Sequence, residues 1–148
     1  MRIGRQFMIS AKTLQAYRET DYLVQLTAEG ANALRLRVGV FHPGLADLYA
    51  EHAVRSGAFV TACNPYGERL DEADNLERQA ALHQFLTRQG WSCLPGMGQH
   101  PTGGWPGEAS FFVLGLGRAA AQSLGRKFEQ NAVVWCGPDA VPQLLLLR

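Results

Sequence analysis

Cysteine is scarce in this chain of 148 residues: Cys63, Cys93 and Cys136 are odd in number, far apart and in no C-x-x-C pair. Neither a disulfide framework nor a zinc ribbon is written in it. Histidine is as sparse. His42, His52, His83 and His100 form no H-x-H or H-x-x-x-H pattern, so no metal site is expected. Net charge is almost absent too, since 14 Lys plus Arg against 13 Asp plus Glu leave +1. That is too weak a field to gather a nucleic-acid backbone or an acidic membrane, and neither is expected as a partner. Trp91, Trp105 and Trp135 are dispersed and make no stacking platform. The longest apolar runs, around Phe111 to Leu116 and Leu144 to Leu147, fall far short of the about 20 residues that cross a bilayer. The opening MRIGRQFMISA has no secretory apolar stretch, which with the unpaired cysteines points to a reducing cytoplasm. What is present, 47% hydrophobic and 18% charged residues with 16 Gly and 7 Pro, describes one ordinary globular domain over residues 1–148.

Local patterns sketch its elements. Ser10 is placed to cap a short helix bearing Leu14 and Tyr17. Tyr22 to Leu26 and Ala33 to Val40 read as strands of a hairpin turned at Glu29-Gly30, with Leu34, Leu36, Val38 and Val40 alternating with Arg35 and Arg37. Pro43 opens a second helix with Leu45, Leu48 and Tyr49 on one face and Gly57 as its stop. Ala58 to Cys63 reads as a central strand, and a helix follows from about Leu70 to Gln89. Trp91 to Leu94 suggests a strand leading into PGMGQHPTGGWPGE, a tract whose glycines and prolines indicate an irregular loop. Ser110 to Leu116 and Ala132 to Cys136 read as strands flanking a helix from Arg118 to Phe128, and Gln143 to Leu147 as an edge strand. The fold class expected is α/β, with α+β as the alternative: a mixed β-sheet covered by helices, with an antiparallel N-terminal hairpin.

Polar residues gather at the expected strand ends. Projecting the face of Leu82, Phe85 and Leu86 backward puts Asn75 and Arg78 on the inward side of their helix, beside Thr61 and Asn64. Such sheet edges are where ligands commonly bind. Turn capping by the asparagines and a solvent-reaching Arg78 are the plain alternatives. Period-two alternation aligns Glu108 with Ser110, Phe112 and Leu114. A carboxylate entering an apolar strand needs a partner, and Arg78 is the expected one. Gln130 and Asn131 offer paired carboxamides at a helix end. Gly96 and Gly98 would give a ligand room near Glu108 within a loop able to act as a lid, although they lack the rest of a dinucleotide or phosphate-loop fingerprint. Cys63 in an apolar strand reads as an inert core thiol rather than as the nucleophile of a pair with His100.

The order of these segments, FVTACNP at 59–65, Asn75, Gly96 and Gly98, WPGEAS at 105–110 and FEQNAVVW at 128–135, resembles the bacterial family known as domain of unknown function 3293. The resemblance extends over about residues 14–137 and implies the same cluster of strand-end residues as the site. It also implies glycine before Gln130, where this chain has Glu129, and variability at Cys63. It implies no activity.

Three functions remain open. The first is a binding site for a small polar, nucleotide-like ligand formed by Thr61, Asn64, Asn75, Arg78, Gly96, Gly98, Ser110, Gln130 and Asn131. The second is a hydrolase or transferase with Glu108 as catalytic general acid/base. The third is a buried polar network that fixes the sheet while the surface meets another protein. No cofactor is implied, and oligomeric state is not written in the chain.

Overall fold

A computed structural model describes residues 9–27, 32–102 and 107–148. The elements run α1 (Ala11–Glu19), β1 (Asp21–Gln25), β2 (Ala33–Leu36), α2 (Pro43–His52), β3 (Gly57–Val60), α3 (Glu72–Arg88), β4 (Cys93–Gln99), β5 (Glu108–Leu114), α4 (Arg118–Lys127), β6 (Ala132–Cys136) and β7 (Pro142–Leu146). Local chemistry explains the helix starts. Ser10 Oγ accepts from Thr13 N–H at 3.1 Å, and Asp71 accepts from Asp74 N–H at 2.8 Å with Glu72 and Asp74 in the first turn of α3. Both satisfy amides that a helix N-terminus leaves without partners. At α2 the cap is His42, whose Nδ1 accepts from Gly44 N–H ahead of Pro43.

The seven strands form one sheet in the order β2-β1-β4-β5-β3-β6-β7. The fold is α+β with the expected N-terminal hairpin, although the hairpin turn at Glu29-Gly30 lies outside the described residues. Where alternating helices and strands suggested a mixed sheet, every pairing is antiparallel. The reason is connectivity: α3 carries the chain from β3 past the position of β5 to β4, and α4 carries it from β5 past β3 to β6. Strands joined by a helix run the same way but are separated by an antiparallel neighbour. The segment from β3 to β6 therefore has the β-α-β-β-α-β split connection of ferredoxin-like folds.

Three local expectations are corrected. The first five residues of the tract read as an irregular loop, Pro95 to Gln99, belong to strand β4, paired with β1 on one side and β5 on the other. Pro95 is tolerated because the β1 ladder has already ended at Val24↔Gly96. Gly96 is required there because a Cβ would lie 2.7 Å from the Leu23 carbonyl oxygen and 2.8 Å from the Phe59 ring. Gly57 does not stop α2, which ends at Ala53 with φ of 52°; it opens β3 under the buried Phe112 ring, where no side chain fits. The second strand ends at Leu36, before Gly39 turns with φ of 83°, so Val40 is exposed rather than in the sheet.

The sheet has a core on each face. Leu45, Leu48 and Tyr49 of α2 pack with Tyr22, Leu36, Phe59, Phe112 and Leu114. Leu82 and Leu86 of α3 and Ala121 and Leu124 of α4 pack on the other face with Ala58, Val60, Val113 and Val133. Leu82 and Leu86 are fully buried, and at about 2 kcal/mol each they hold α3 against the sheet. This fixes the start of α3 beside the end of β3.

Candidate functional site

The β3–β5 ladder stops at Val60↔Phe111, and beyond it the chain needs new partners for its backbone. Thr61 supplies the first, donating its hydroxyl to Ala109 O at 2.7 Å and accepting from Cys63 N–H at 3.0 Å. Gln79 Oε1 accepts from Ala62 N–H at 2.9 Å, and Arg78 Nε donates to Ala62 O at 2.6 Å. Gln130 Nε2 donates to Cys63 O at 3.1 Å. The chain then enters the left-handed region at Asn64 (φ 50°) and Tyr66 (φ 53°), which disfavours most side chains and is least costly for Asn.

Asn64 and Asn75 clasp each other. Asn75 Oδ1 accepts from Asn64 N–H and Asn75 Nδ2 donates to Asn64 Oδ1, both at 2.9 Å. Asn64 Oδ1 also accepts from Leu70 N–H at 2.9 Å. One group is left over, and it is aimed: Asn64 Nδ2 donates to Glu108 Oε2 at 2.8 Å.

Glu108 is the first residue of β5. It stands opposite Gly98, which in turn stands opposite Tyr22, so Tyr22, Gly98 and Glu108 form a row across one face of the sheet. Among the described residues, a Cβ at Gly98 would meet nothing nearer than Thr20 Cγ2 at 3.7 Å, so the row has a gap between tyrosine and carboxyl. Tyr22 Oη donates to Tyr17 O at 2.7 Å and brings α1 over this edge. Burial pushes the Glu108 carboxyl above the usual carboxylate range, against the smaller opposing effect of the Asn64 bond. Burial likewise raises the Tyr17 and Cys63 groups, and the Glu108 charge adds to both.

The expected Arg78–Glu108 pair does not form. The Arg78 fork is spent on carbonyls at the ends of broken secondary structure, Ala62 O through Nε and Phe128 O through Nη2 at 2.8 Å, with Glu129 Oε1 3.3 Å from Nη1. Closing two loops and pairing with Glu129 engages each of the three guanidinium nitrogens. Ser110 is also turned to structure: buried, it donates to Glu108 O at 3.2 Å. Gly96 and Gly98 belong to strand β4, so they line no loop or lid, and Gly98 contributes only the gap beside Glu108.

The turn after α4 completes the edge. Glu129 has φ of 60°, a conformation suited to the glycine that the family resemblance implies there. Its carbonyl accepts from Tyr66 N–H at 2.6 Å, joining two left-handed turns. Gln130 and Asn131 are buried. Asn131 Nδ2 donates to Tyr17 Oη at 3.2 Å, and its Oδ1 accepts from Arg148 Nη1 at 3.0 Å. The Arg148 guanidinium lies 4.2 Å from the centre of the Tyr66 ring.

The cluster thus unites Thr61, Asn64, Asn75, Arg78, Glu108, Ser110, Gln130 and Asn131. Sequence reasoning missed Gln79, Tyr17, Tyr66 and Arg148. Gln79 was findable, because it lies one turn after Asn75 on the face that carries Leu82 and Leu86. The other three meet the site through tertiary contacts that no local spacing encodes. Arg35 and Arg37 are turned toward the buried Asp21, at 2.9 and 3.8 Å. His100 contacts Glu19 at 3.1 Å, while the Cys63 thiol is buried 3.6 Å from Ala109 O.

Among the described residues no helix is long and apolar enough to cross a membrane, and no group of three or more His, Cys, Asp or Glu is placed to hold a metal ion. Neither a curated protein nor a solved structure matches the chain. A family model, Protein of unknown function (DUF3293), matches residues 60–133, from the last residue of β3 to the second residue of β6. That stretch carries Thr61, Asn64, Asn75, Arg78, Glu108, Gln130 and Asn131. It is half of the sequence, and on that match the chain belongs to the DUF3293 family.

Proposed function

We propose that the chain binds a small polar ligand at the ends of β3 and β5, with Glu108 as the group that meets it. The observation that carries this reading is an imbalance in the cluster. Asn64, Asn75, Arg78 and the Gln130 amide nitrogen are engaged with one another, with backbone, with Glu129 and with Glu108 Oε2, whereas among the described residues no donor engages Glu108 Oε1. The amides hold the carboxyl; a ligand hydroxyl or amine would complete it. The left-handed Asn64, Tyr66 and Glu129 support the same reading, because strained backbone kept at one edge is a frequent mark of binding and catalytic sites. A reducing bacterial cytoplasm is the setting we propose, in keeping with three free thiols.

A second reading gives Glu108 a chemical role as general acid/base of a hydrolase or transferase. It is favoured by the upward shift of a carboxyl that burial, and no arginine, controls.

A thermal-shift screen of nucleotides and polar metabolites, on the wild type and on Glu108→Gln, tests the proposal. A ligand is expected to raise the wild-type Tm and to lose that effect in the variant. Equal shifts in both proteins, or none in the wild type across the screen, would refute it. Turnover that disappears in Glu108→Gln while binding persists would establish the acid/base reading.

A further inference from the structure

We infer that Tyr17 is a second ligand contact at this edge, and that Tyr17 and Glu108 together take an alcohol: a hydroxyl of a sugar or polyol, free or within a nucleoside. The inference rests on the Glu108 reading above and narrows its ligand from polar groups in general to one group. Two atoms are unspent. Tyr17 Oη accepts from Asn131 Nδ2 at 3.2 Å, and a phenol that accepts in this way still has its O–H to give. Among the described residues no acceptor takes that proton, and no donor reaches Glu108 Oε1, while Oε2 is held by Asn64 at 2.8 Å. Burial raises the Tyr17 hydroxyl above its ordinary value, so the proton is in place at neutral pH.

Topology brings the two atoms to one place. Tyr22 of β1 holds Tyr17 by its main-chain carbonyl, at 2.7 Å, and Asn131, the residue before β6, holds it by its hydroxyl. In the order β1-β4-β5-β3-β6 those anchors stand four strand spacings apart, about 19 Å along the sheet. The Tyr17 side chain therefore crosses the ends of the middle strands, over Gly98 of β4 and Glu108 of β5, which share a face with Tyr22. Electrostatics agree, since the Glu108 charge is felt at the hydroxyls of both Tyr17 and Tyr22. Tyr17 and Glu108 are half-buried rather than sealed. The helix that carries Tyr17 has nine residues and none of them buried, so this roof is held by its hydrogen bonds rather than by a core, and a ligand can enter beneath it. An alcohol oxygen both gives a proton and accepts one, so a single hydroxyl donates to Glu108 Oε1 and accepts from Tyr17. An ammonium has protons only and turns them toward that of the tyrosine. A carboxylate or phosphoryl group has acceptors only and meets the Glu108 charge.

The experiment is calorimetric titration and thermal shift of the full chain with ribose, myo-inositol and adenosine, and with methyladenine, methylammonium and acetate as probes that lack a hydroxyl. The expected result is that at least one of the three alcohols binds and raises the Tm, that the other probes do not, and that Tyr17→Phe and Glu108→Gln each weaken binding roughly tenfold. The alcohol that binds tightest tells sugar, polyol and nucleoside apart. Carbon NMR of the wild type gives a second readout, independent of how well Tyr17→Phe folds: the Tyr17 Cζ resonance is expected to move with the bound alcohol and to stay in place with methylammonium and acetate. The inference is overturned if none of the alcohols binds, if Tyr17→Phe binds them as the wild type does, or if the Tyr17 resonance does not answer them. The Glu108 reading survives those results wherever methylammonium or another hydroxyl-free probe binds the wild type and not Glu108→Gln. If Glu108→Gln answers every probe as the wild type does, that reading falls and this inference with it.

Discussion

Replacing Asn64 by aspartate changes one atom group and tests whether the Asn64 amide is what keeps the Glu108 carboxyl in place. The two acceptor bonds of Oδ1, from Leu70 N–H and Asn75 Nδ2, can persist in Asn64→Asp. The donor 2.8 Å from Glu108 Oε2 becomes a second carboxylate oxygen. Two carboxylates at that distance cannot both ionise and must share a proton. An unfolded glutamate titrates near pH 4.3, so keeping that proton at pH 7 costs up to about 3.7 kcal/mol. The wild type already carries part of this cost through burial of Glu108, which makes the figure an upper bound. The folded pKa is raised above the unfolded one. The penalty is therefore absent below the unfolded pKa, grows as pH rises above it, and is complete once pH exceeds the folded value. Urea unfolding followed by circular dichroism from about pH 4 to about pH 8 measures it. Asn64→Ala is the comparison, because it removes three hydrogen bonds and places alanine at φ of 50°. It should cost about 3–5 kcal/mol with far less dependence on pH. A loss in Asn64→Asp that is the same at both ends of the pH range would refute the contact between these side chains.

Glu129→Gly removes a left-handed residue worth about 1–2 kcal/mol of strain and gives up a half-exposed ion pair with Arg78 worth at most about 1 kcal/mol. Its Tm should be equal to or above that of the wild type, and a loss beyond about 1 kcal/mol in urea unfolding would show that the ion pair governs the turn. Gly57→Ala drives a methyl into the buried Phe112 ring. A loss of about 1–3 kcal/mol is expected, and an unchanged urea midpoint would contradict the packing of β3 on β5.

Much of the edge was legible because its residues obey local rules. Asn75 and Arg78 could be set on the inward face of α3 by the spacing of Leu82 and Leu86, and Glu108 could be set in β5 by alternation with Ser110, Phe112 and Leu114. What a sequence pattern does not encode is the choice among several polar partners. Arg78 and Glu108 are opposite charges brought to one edge, which made their pairing the obvious expectation. The competing demand came from Ala62 O and Phe128 O, carbonyls whose need for donors appears only when β3 and α4 are seen to end side by side. The strand β4 was hidden for a related reason. Gly96 and Pro95 argue against sheet when read singly, yet Gly96 is there because Leu23 and Phe59 approach too closely for any side chain.

The glutamate at position 129 shows how the two turns depend on each other. Its carbonyl holds the Tyr66 amide, so the left-handed backbone at 129 and that at 66 are stabilised by a single bond between them. A side chain that prefers another conformation at 129 would loosen Tyr66, and with it the ring on which Arg148 rests. Glutamate at this position offsets part of its conformational cost by reaching Arg78, which in turn holds Ala62 O and so the approach to Asn64. The strain is thus distributed over a set of contacts that ends at the Asn64 amide and the carboxyl it holds, so a defect at position 129 should reach Glu108 by way of Arg78 and Asn64.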